Sequence, residues 1–297
     1  MTATEREGAS RRQPRKKRRP LLWLTVLLAL AVGGVFWFRW QCWGLQATHT
    51  DVALAGLPQG FDGYRIVHLS DLHGHEYGEG SRDLLQQVRE QAPDLILVTG
   101  DLIDQKSQLA MVPALARGLT AIAPTYYVTG NHEWALGTGA VKELKSLLSQ
   151  CGASVLSNQY QLLERGGDKL VLAGVDDPNG YADQTTPEEL HAWLQEEAPG
   201  LTTVLLAHRN NHFGQYAAAG YDLVLSGHGH GGIVRLPFIG GLIGTDRRFF
   251  PPWTSGAYTL GDSTLFVSRG LGNNTVPFKG FRVFNRPELA VVTLKQG

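Results

Sequence analysis

Leu21 to Phe38 is an 18-residue run without a charge, LLWLTVLLALAVGGVFWF. As a helix it would be about 27 Å long, close to the roughly 30 Å hydrocarbon core of a bilayer. Trp23 near its start and Trp37, Trp40 and Trp43 near its end stand where an aromatic belt would lie. Beyond it, short apolar runs predict strands at 64–70 (YRIVHLS), 94–100 (DLILVTG), 125–130 (TYYVTG) and 169–174 (KLVLAG). Four more are predicted at 202–208, 221–228, 263–270 and 289–294. The continuous run at 94–100 is of the kind buried on both faces of a parallel sheet. Between the strands the apolar spacing becomes helical. In 81–92, Leu84, Leu85 and Val88 share a face and Ser81 stands as an N-cap. Helices are also predicted at 140–150 and at 187–197, the latter with acidic residues in its first turn. Strands alternating with helices imply a layered α/β domain.

Composition sharpens this picture. Hydrophobic residues at 43% against 18% charged exclude a disordered chain. The formal net charge of zero hides a split: residues 1–20 hold eight basic and two acidic side chains, +6, so the remainder carries −6. An acidic domain with a basic arm is not a general nucleic-acid binder, and no nucleic-acid partner is expected. The positive-inside rule keeps the basic cluster in the cytoplasm and places everything after residue 45 on the other side. The expected organisation is a basic cytoplasmic segment (1–20), a transmembrane anchor (21–40), a linker (41–61) and a catalytic domain (62–297). A cleaved signal peptide competes with the anchor, but the apolar run exceeds a usual h-region and no A-x-A site follows at the expected distance. A buried core helix is the third reading. Arg18-Arg19-Pro20-Leu21-Leu22 weakly matches a twin-arginine export signal; ordinary stop-transfer positives are the plainer reading. Cys42 and Cys151 are too few for a disulfide framework or a thiolate zinc site.

The chemistry lies in the residues just past the strand ends. The strand at 64–70 runs into Asp71-Leu72-His73, and 94–100 into Asp101-Leu102-Ile103-Asp104. The strand at 125–130 runs into Asn131-His132-Glu133, 202–208 ends in His208, and 221–228 opens His228-Gly229-His230-Gly231-Gly232. Each triplet alone reads as a turn. Together, each at a strand end, they read as one site, because ligand sites in α/β sheets lie beyond the carboxyl ends of the strands. Nitrogen and carboxylate ligands without thiolate suit Mn, Fe or Zn, and the set is too large for one metal, so two divalent ions are expected. The glycines beside His228 and His230 would let the backbone turn sharply so that both imidazoles face one point.

In this order the motifs D-x-H, G-D-x-x-D, G-N-H-[DE], a lone histidine and G-H-x-H resemble the calcineurin-like metallophosphoesterase superfamily. GHGHGG, VRLPFIG (234–240), FVSRGLG (266–272) and FNRPELAVVTL (284–294) look like its bacterial branch of membrane-tethered or exported phosphoesterases. The resemblance implies a four-layer αββα sandwich over residues 62–297, two sheets face to face with helices outside. Position by position, it implies one metal on Asp71, His73 and His230, the other on Asn131, His208 and His228, and Asp101 bridging both. His132 matches the catalytic histidine and Asp104 the acidic residue that orients it, with Glu133 a second candidate for that role. His212 is the alternative to His208; Lys279 and Arg282 stay open as substrate contacts. His75 reads as a rim residue and His68, inside a strand, as a core histidine.

By the resemblance, two such metals would lower the pKa of a water so that it could act as the nucleophile on phosphorus, opposite the leaving oxygen. The expected reaction is hydrolysis of a phosphomonoester, phosphodiester or pyrophosphate bond in a phosphorylated small molecule or lipid, with a lipid-linked or cell-envelope substrate suggested by the anchor. Residues 233–256, rich in Phe, Ile and Leu with Arg247 and Arg248, either pack into the second sheet or its rim, or form a greasy basic lip. The alternative is a catalytically silent, membrane-anchored binding or scaffold protein; the filled ligand positions favour the enzyme. The oligomeric state stays open.

Overall fold

A computed structural model describes residues 18–245, 247–272 and 281–297. The chain divides into two units, at Arg39/Trp40. The first holds most of helix α1 (Arg18–Trp43), within which Pro20–Trp43 is long and apolar enough to cross a membrane. Its leucines and Trp23 are exposed on every side, as for a helix whose surroundings are lipid. The basic cluster at 1–17 lies outside the described residues.

The second unit opens with β1 (Gln46–Leu54), β2 (Arg65–Leu69), α2 (Arg82–Glu90), β3 (Leu95–Thr99), α3 (Val112–Thr120) and β4 (Thr125–Val128). It continues with α4 (Asn131–Ala135), α5 (Thr138–Gln150), β5 (Ser154–Val155), β6 (Gln159–Arg165), β7 (Asp168–Gly174), α6 (Pro187–Glu197) and β8 (Thr203–Arg209). Then come α7 (Phe213–Ala219), β9 (Leu223–Gly227), β10 (Arg235–Leu236), β11 (Gly240–Gly241), β12 (Gly256–Leu260), β13 (Ser263–Val267) and β14 (Glu288–Gln296).

Two six-stranded sheets form, in the orders β1-β14-β2-β3-β4-β5 and β12-β13-β9-β8-β7-β6. The strands that carry the predicted site, β2, β3 and β4 in one sheet and β8 and β9 in the other, pair in parallel. Their carboxyl ends therefore emerge together. Ile66, Leu95, Leu97 and Val128 from the first sheet meet Leu170, Leu172, Val204, Leu206, Leu225 and Phe266 from the second in one apolar layer. The outer face of the first sheet packs on α2, α3 and α5. That of the second packs on α6 and α7. This is the expected four-layer αββα sandwich, because strands apolar on both faces must be covered on both.

The eight predicted strands correspond to β2, β3, β4, β7, β8, β9, β13 and β14, and the three predicted helices to α2, α5 and α6. Two expectations need correction. Residues 41–61 are not simply a linker: β1 lies within them, paired in parallel with β14 from Gln46↔Glu288 to Leu54↔Gln296. Only Val52 and Leu54 of β1 are buried, so the strand lacks the apolar run that marks the others. Ser81 occupies the N-cap of α2 but makes no capping bond; its backbone is left-handed (φ 59°) where a capping residue is normally extended. In α6, by contrast, Thr186 and Glu189 form a reciprocal capping box at 3.2 and 2.8 Å.

Candidate metal centre

Asp71 and His73 follow β2, Asp101 and Asp104 follow β3, Asn131 and His132 open α4 after β4, His208 lies near the end of β8, and His228 and His230 follow β9. Five of these sit in left-handed backbone: Asp71 (φ 52°), His73 (51°), Asp101 (50°), His228 (65°) and His230 (46°). Each such residue costs on the order of 1–3 kcal/mol, and the cluster is held by hydrogen bonds between the loops. Asp71 N–H donates to Gly100 C=O at 3.1 Å and His73 N–H to Asp101 C=O at 2.9 Å. Buried Glu133 accepts from the backbone N–H groups of Gly130, Asp101, Leu102 and Ile103, so it ties the β3 and β4 loops together rather than orienting His132. The loops touch so closely that a Cβ on Gly130 would lie 2.3 Å from Asp101 Oδ1.

The side chains converge. His73 Nδ1 donates to Asp104 Oδ1 at 2.7 Å, and its Nε2 lies 3.0 Å from His230 Nε2 and 3.9 Å from Asp101 Oδ2. His230 Nε2 is 3.5 Å from Asp71 Oδ1. His208 Nδ1 donates to Thr99 C=O at 2.7 Å, so its Nε2 faces Asp101 Oδ2 and Asn131 Oδ1, both at 3.2 Å. His132 Nδ1 donates to the same Asp104 oxygen at 2.6 Å, and its Nε2 stands 3.8 Å from Asp101 Oδ2. Ligand atoms of Asp71, His73 and His230 form one compact group, those of Asp101, His208 and His228 another, and those of His73, Asp101 and His132 a third that links the two. His228 and His230 therefore part between two clusters instead of facing one point.

Buried ionisable groups here face one another. Burial would lower the His208 pKa, but the charge and hydrogen bond of Asp101, with Asp71 and Asp177, raise it to about 10. Burial is likewise outweighed at His132, where Asp104 and the charges of Asp101 and Glu133 raise it to about 9. Burial raises Asp71 against the pull of His208, whereas Asp101 is held well below the carboxylate range by His208, His73 and His132 despite burial. His228 and His230 are pushed well below the usual imidazole value by burial first, and then by neighbouring positive charge, His208 and Arg209 beside His228 and Arg282 near His230. Imidazoles, two buried carboxylates and an amide oxygen directed at common points fit divalent cations, and Nδ1 protons held by Asp104 and Thr99 C=O are how proteins aim a metal-binding histidine.

Residues 64–232, which contain all of these side chains, match the calcineurin-like phosphoesterase family. The chain belongs to this family. It is 32% identical over 258 residues to an uncharacterized metallophosphoesterase of Bacillus subtilis, YkuE, spanning 84% of this chain and 86% of that one. It is 29% identical over 237 residues to phosphodiesterase YaeI of Escherichia coli, spanning 78% and 82%. A transmembrane protein with metallophosphoesterase domain from Danio rerio is 29% identical over 267 residues, 84% of this chain and 57% of that one. As a calcineurin-like phosphoesterase the chain is a metal-dependent phosphoric ester hydrolase.

The other candidates in this phosphoesterase fall away from the centre. His212 lies in the turn before α7, beside the Tyr216 ring, so His208 is the histidine of the cluster. His75 packs between the rings of Trp43 and Tyr77 at 4.7 and 4.5 Å. His68 is fully buried and bonded to Thr99 Oγ1 at 2.7 Å. Arg282 is buried and donates to the carbonyls of Arg269, Gly272 and Asn285, a backbone anchor rather than a substrate contact. Lys279 lies outside the described residues. Within 233–256, β10 and β11 form a separate two-stranded hairpin rather than joining either six-stranded sheet. Phe238, Ile239, Phe249 and Phe250 are exposed. Sequence reasoning missed Asp177 and Arg209, whose side chains pair beside His228. The signal was available: 169–174 ends in Val175-Asp176-Asp177, a strand end of the same kind as the other five.

Proposed function

We propose that this phosphoesterase hydrolyses a phosphomonoester, phosphodiester or pyrophosphate bond of a lipid-linked or cell-envelope substrate, on the extracytoplasmic side of a bacterial membrane to which α1 anchors it. The observation that carries the reading is the convergence of Asp71, His73, Asp101, His132, His208, His228 and His230 in three overlapping groups, with Asn131 Oδ1 3.2 Å from His208 Nε2. Asp71, His73 and His230 would hold one divalent ion, Asn131, His208 and His228 the other, and Asp101 both. Such a pair activates water and neutralises charge on the phosphoryl oxygens.

The chain's own groups do the rest. Asp104 holds the Nδ1 protons of His73 and His132, which fixes both rings. His132 keeps 38% of its side chain exposed, against 2%, 0% and 7% for His73, His208 and His230, so of these four imidazoles it is the one open to a ligand. Its Nε2 is placed to donate a proton to the leaving oxygen or to stabilise charge on it. His132→Ala is expected to retain metal and lose about 10²–10⁴-fold in turnover, measured on a metal-replete sample.

Support for a lipid-linked substrate comes from the exposed aromatics at 238–250 and from a cleft of about 400 Å³ that opens from His228 along Gly244, Arg248, Pro252 and Trp253. The orientation rests on the +6 charge of residues 1–20. The test is hydrolysis of nucleotide, sugar and micellar lipid phosphates with Mn²⁺, wild type against Asp101→Ala. Faster turnover of micellar lipid phosphates, abolished by Asp101→Ala, is expected; equal rates on soluble esters would remove the lipid assignment.

A further inference from the structure

The end of β7 contributes no residue to the proposed ligand set, yet it reaches the centre through the end of β8. Asp177, 1% exposed, grips Arg209 through both carboxylate oxygens: Nε donates to Oδ2 at 2.7 Å and Nη2 to Oδ1 at 3.1 Å. Asp177 is itself fixed, since its N–H donates to Thr129 Oγ1 at 3.2 Å and its Oδ1 also accepts the Asn179 N–H at 2.9 Å. The third guanidinium nitrogen, Nη1, lies 3.4 Å from His228 Nε2. The Arg209 side chain remains 18% exposed, against 0% for Asp177.

A guanidinium has five N–H donors, of which Asp177 takes two. Nη1 meets His228 Nε2 at 3.4 Å, a long and weak hydrogen bond that a phosphoryl oxygen can replace. A carboxylate–guanidinium pair of this burial is a weak stabiliser, because desolvation offsets much of the attraction. What the clamp does provide is a rigid planar fork at the edge of the centre, with its outer donors directed away from the clamping carboxylate. That geometry matches phosphoryl oxygens, and a lysine could not reproduce it.

We infer that Arg209 binds a non-bridging phosphoryl oxygen of the substrate through Nη1 and the outer Nη2 donor, and that Asp177 is the positioning residue that fixes its guanidinium. This rests on the hydrolase reading above. A purely structural pair, tying the end of β8 to the end of β7, would make a different prediction: lost thermal stability with unchanged affinity for phosphate.

The test uses the full chain in detergent, loaded with Mn²⁺, as wild type, Arg209→Gln, Arg209→Lys and Asp177→Asn. Metal content, melting temperature, kcat and KM on a chromogenic phosphoester, and the competitive inhibition constant of inorganic phosphate are measured on each. Arg209→Gln is expected to keep its metal while KM and the phosphate inhibition constant rise about 10–100-fold, the loss of one or two charge-assisted hydrogen bonds. Arg209→Lys should recover part of that loss, and Asp177→Asn should raise the same two constants by a smaller factor. Unchanged phosphate inhibition in metal-replete Arg209→Gln, or loss of activity that only tracks loss of metal, overturns the inference. If Asp177→Asn fails to fold, the two Arg209 variants decide the matter. Failure of the metal-loaded wild type on every phosphoester would instead strike the hydrolase reading, so the two failures are separable.

Discussion

His68 and His208 are both closed to solvent, at 0% and 1% exposure, and their surroundings drive them to opposite charge states. His68 sits in the layer between the sheets, with Thr99 Oγ1 at 2.7 Å and the Phe266 ring 6.0 Å away. Burial there lowers its pKa to about 3. His208 stands a few residues beyond the same layer, where Asp101 outweighs an equal burial and raises it to about 10. The inter-sheet layer is apolar packing with ordinary backbone. The layer at the strand ends packs ionisable groups against one another, five of them on left-handed backbone. The first is built to be stable; the second holds strain.

The difference can be broken from either side. Leu206→Ala in the inter-sheet layer leaves a cavity and is expected to cost about 2–5 kcal/mol in denaturant unfolding, with metal content per folded chain unchanged. Gly130→Ala puts a methyl 2.3 Å from Asp101 Oδ1 and 2.5 Å from its backbone nitrogen. Displacing that carboxylate by even 1 Å should lower kcat/KM about 10²-fold, read in steady-state kinetics. Asp104→Asn removes the charge that holds two imidazoles, and a Mn²⁺ titration should show about 10–100-fold weaker binding or an equivalent loss of rate. The smallest effect is electrostatic. Because the His68 pKa is lowered on folding, the unfolded chain binds the proton more readily. Its contribution is intact above about pH 6.5 and is lost as pH falls toward 3. His68→Gln should reduce the slope of stability between pH 6 and 4 by about 1.4 kcal/mol per pH unit relative to wild type, measured by urea unfolding.

The two layers were also unequally legible in the sequence. Continuous apolar runs such as 94–99 announce central parallel strands, and the residues just after them are local in sequence, so both the sandwich and the candidate ligands could be read directly. Strand β1 could not, because its partner β14 lies some 240 positions away and only its last residues are buried. The same holds for β6, most of whose side chains are exposed. The left-handed backbone at Asp71, His73 and Asp101 had no marker, since these positions carry none of the glycine that usually signals it. Asp104 was expected to orient one histidine and holds two. Glu133, a candidate partner for His132, serves the backbone because its loop folds beneath the neighbouring one. Contacts between strand ends arise from sheet order, which no local motif encodes.

A cradle for two divalent ions joined through Asp101 predicts a definite stoichiometry. It is read by metal analysis of the purified full chain after Mn²⁺ loading and removal of excess, with wild type and Asp101→Ala side by side. Two ions per folded wild-type chain, and fewer in the variant with its fold intact, are the predicted result. A folded wild-type chain that binds no divalent ion, or an Asp101→Ala chain that binds both as tightly, would contradict it.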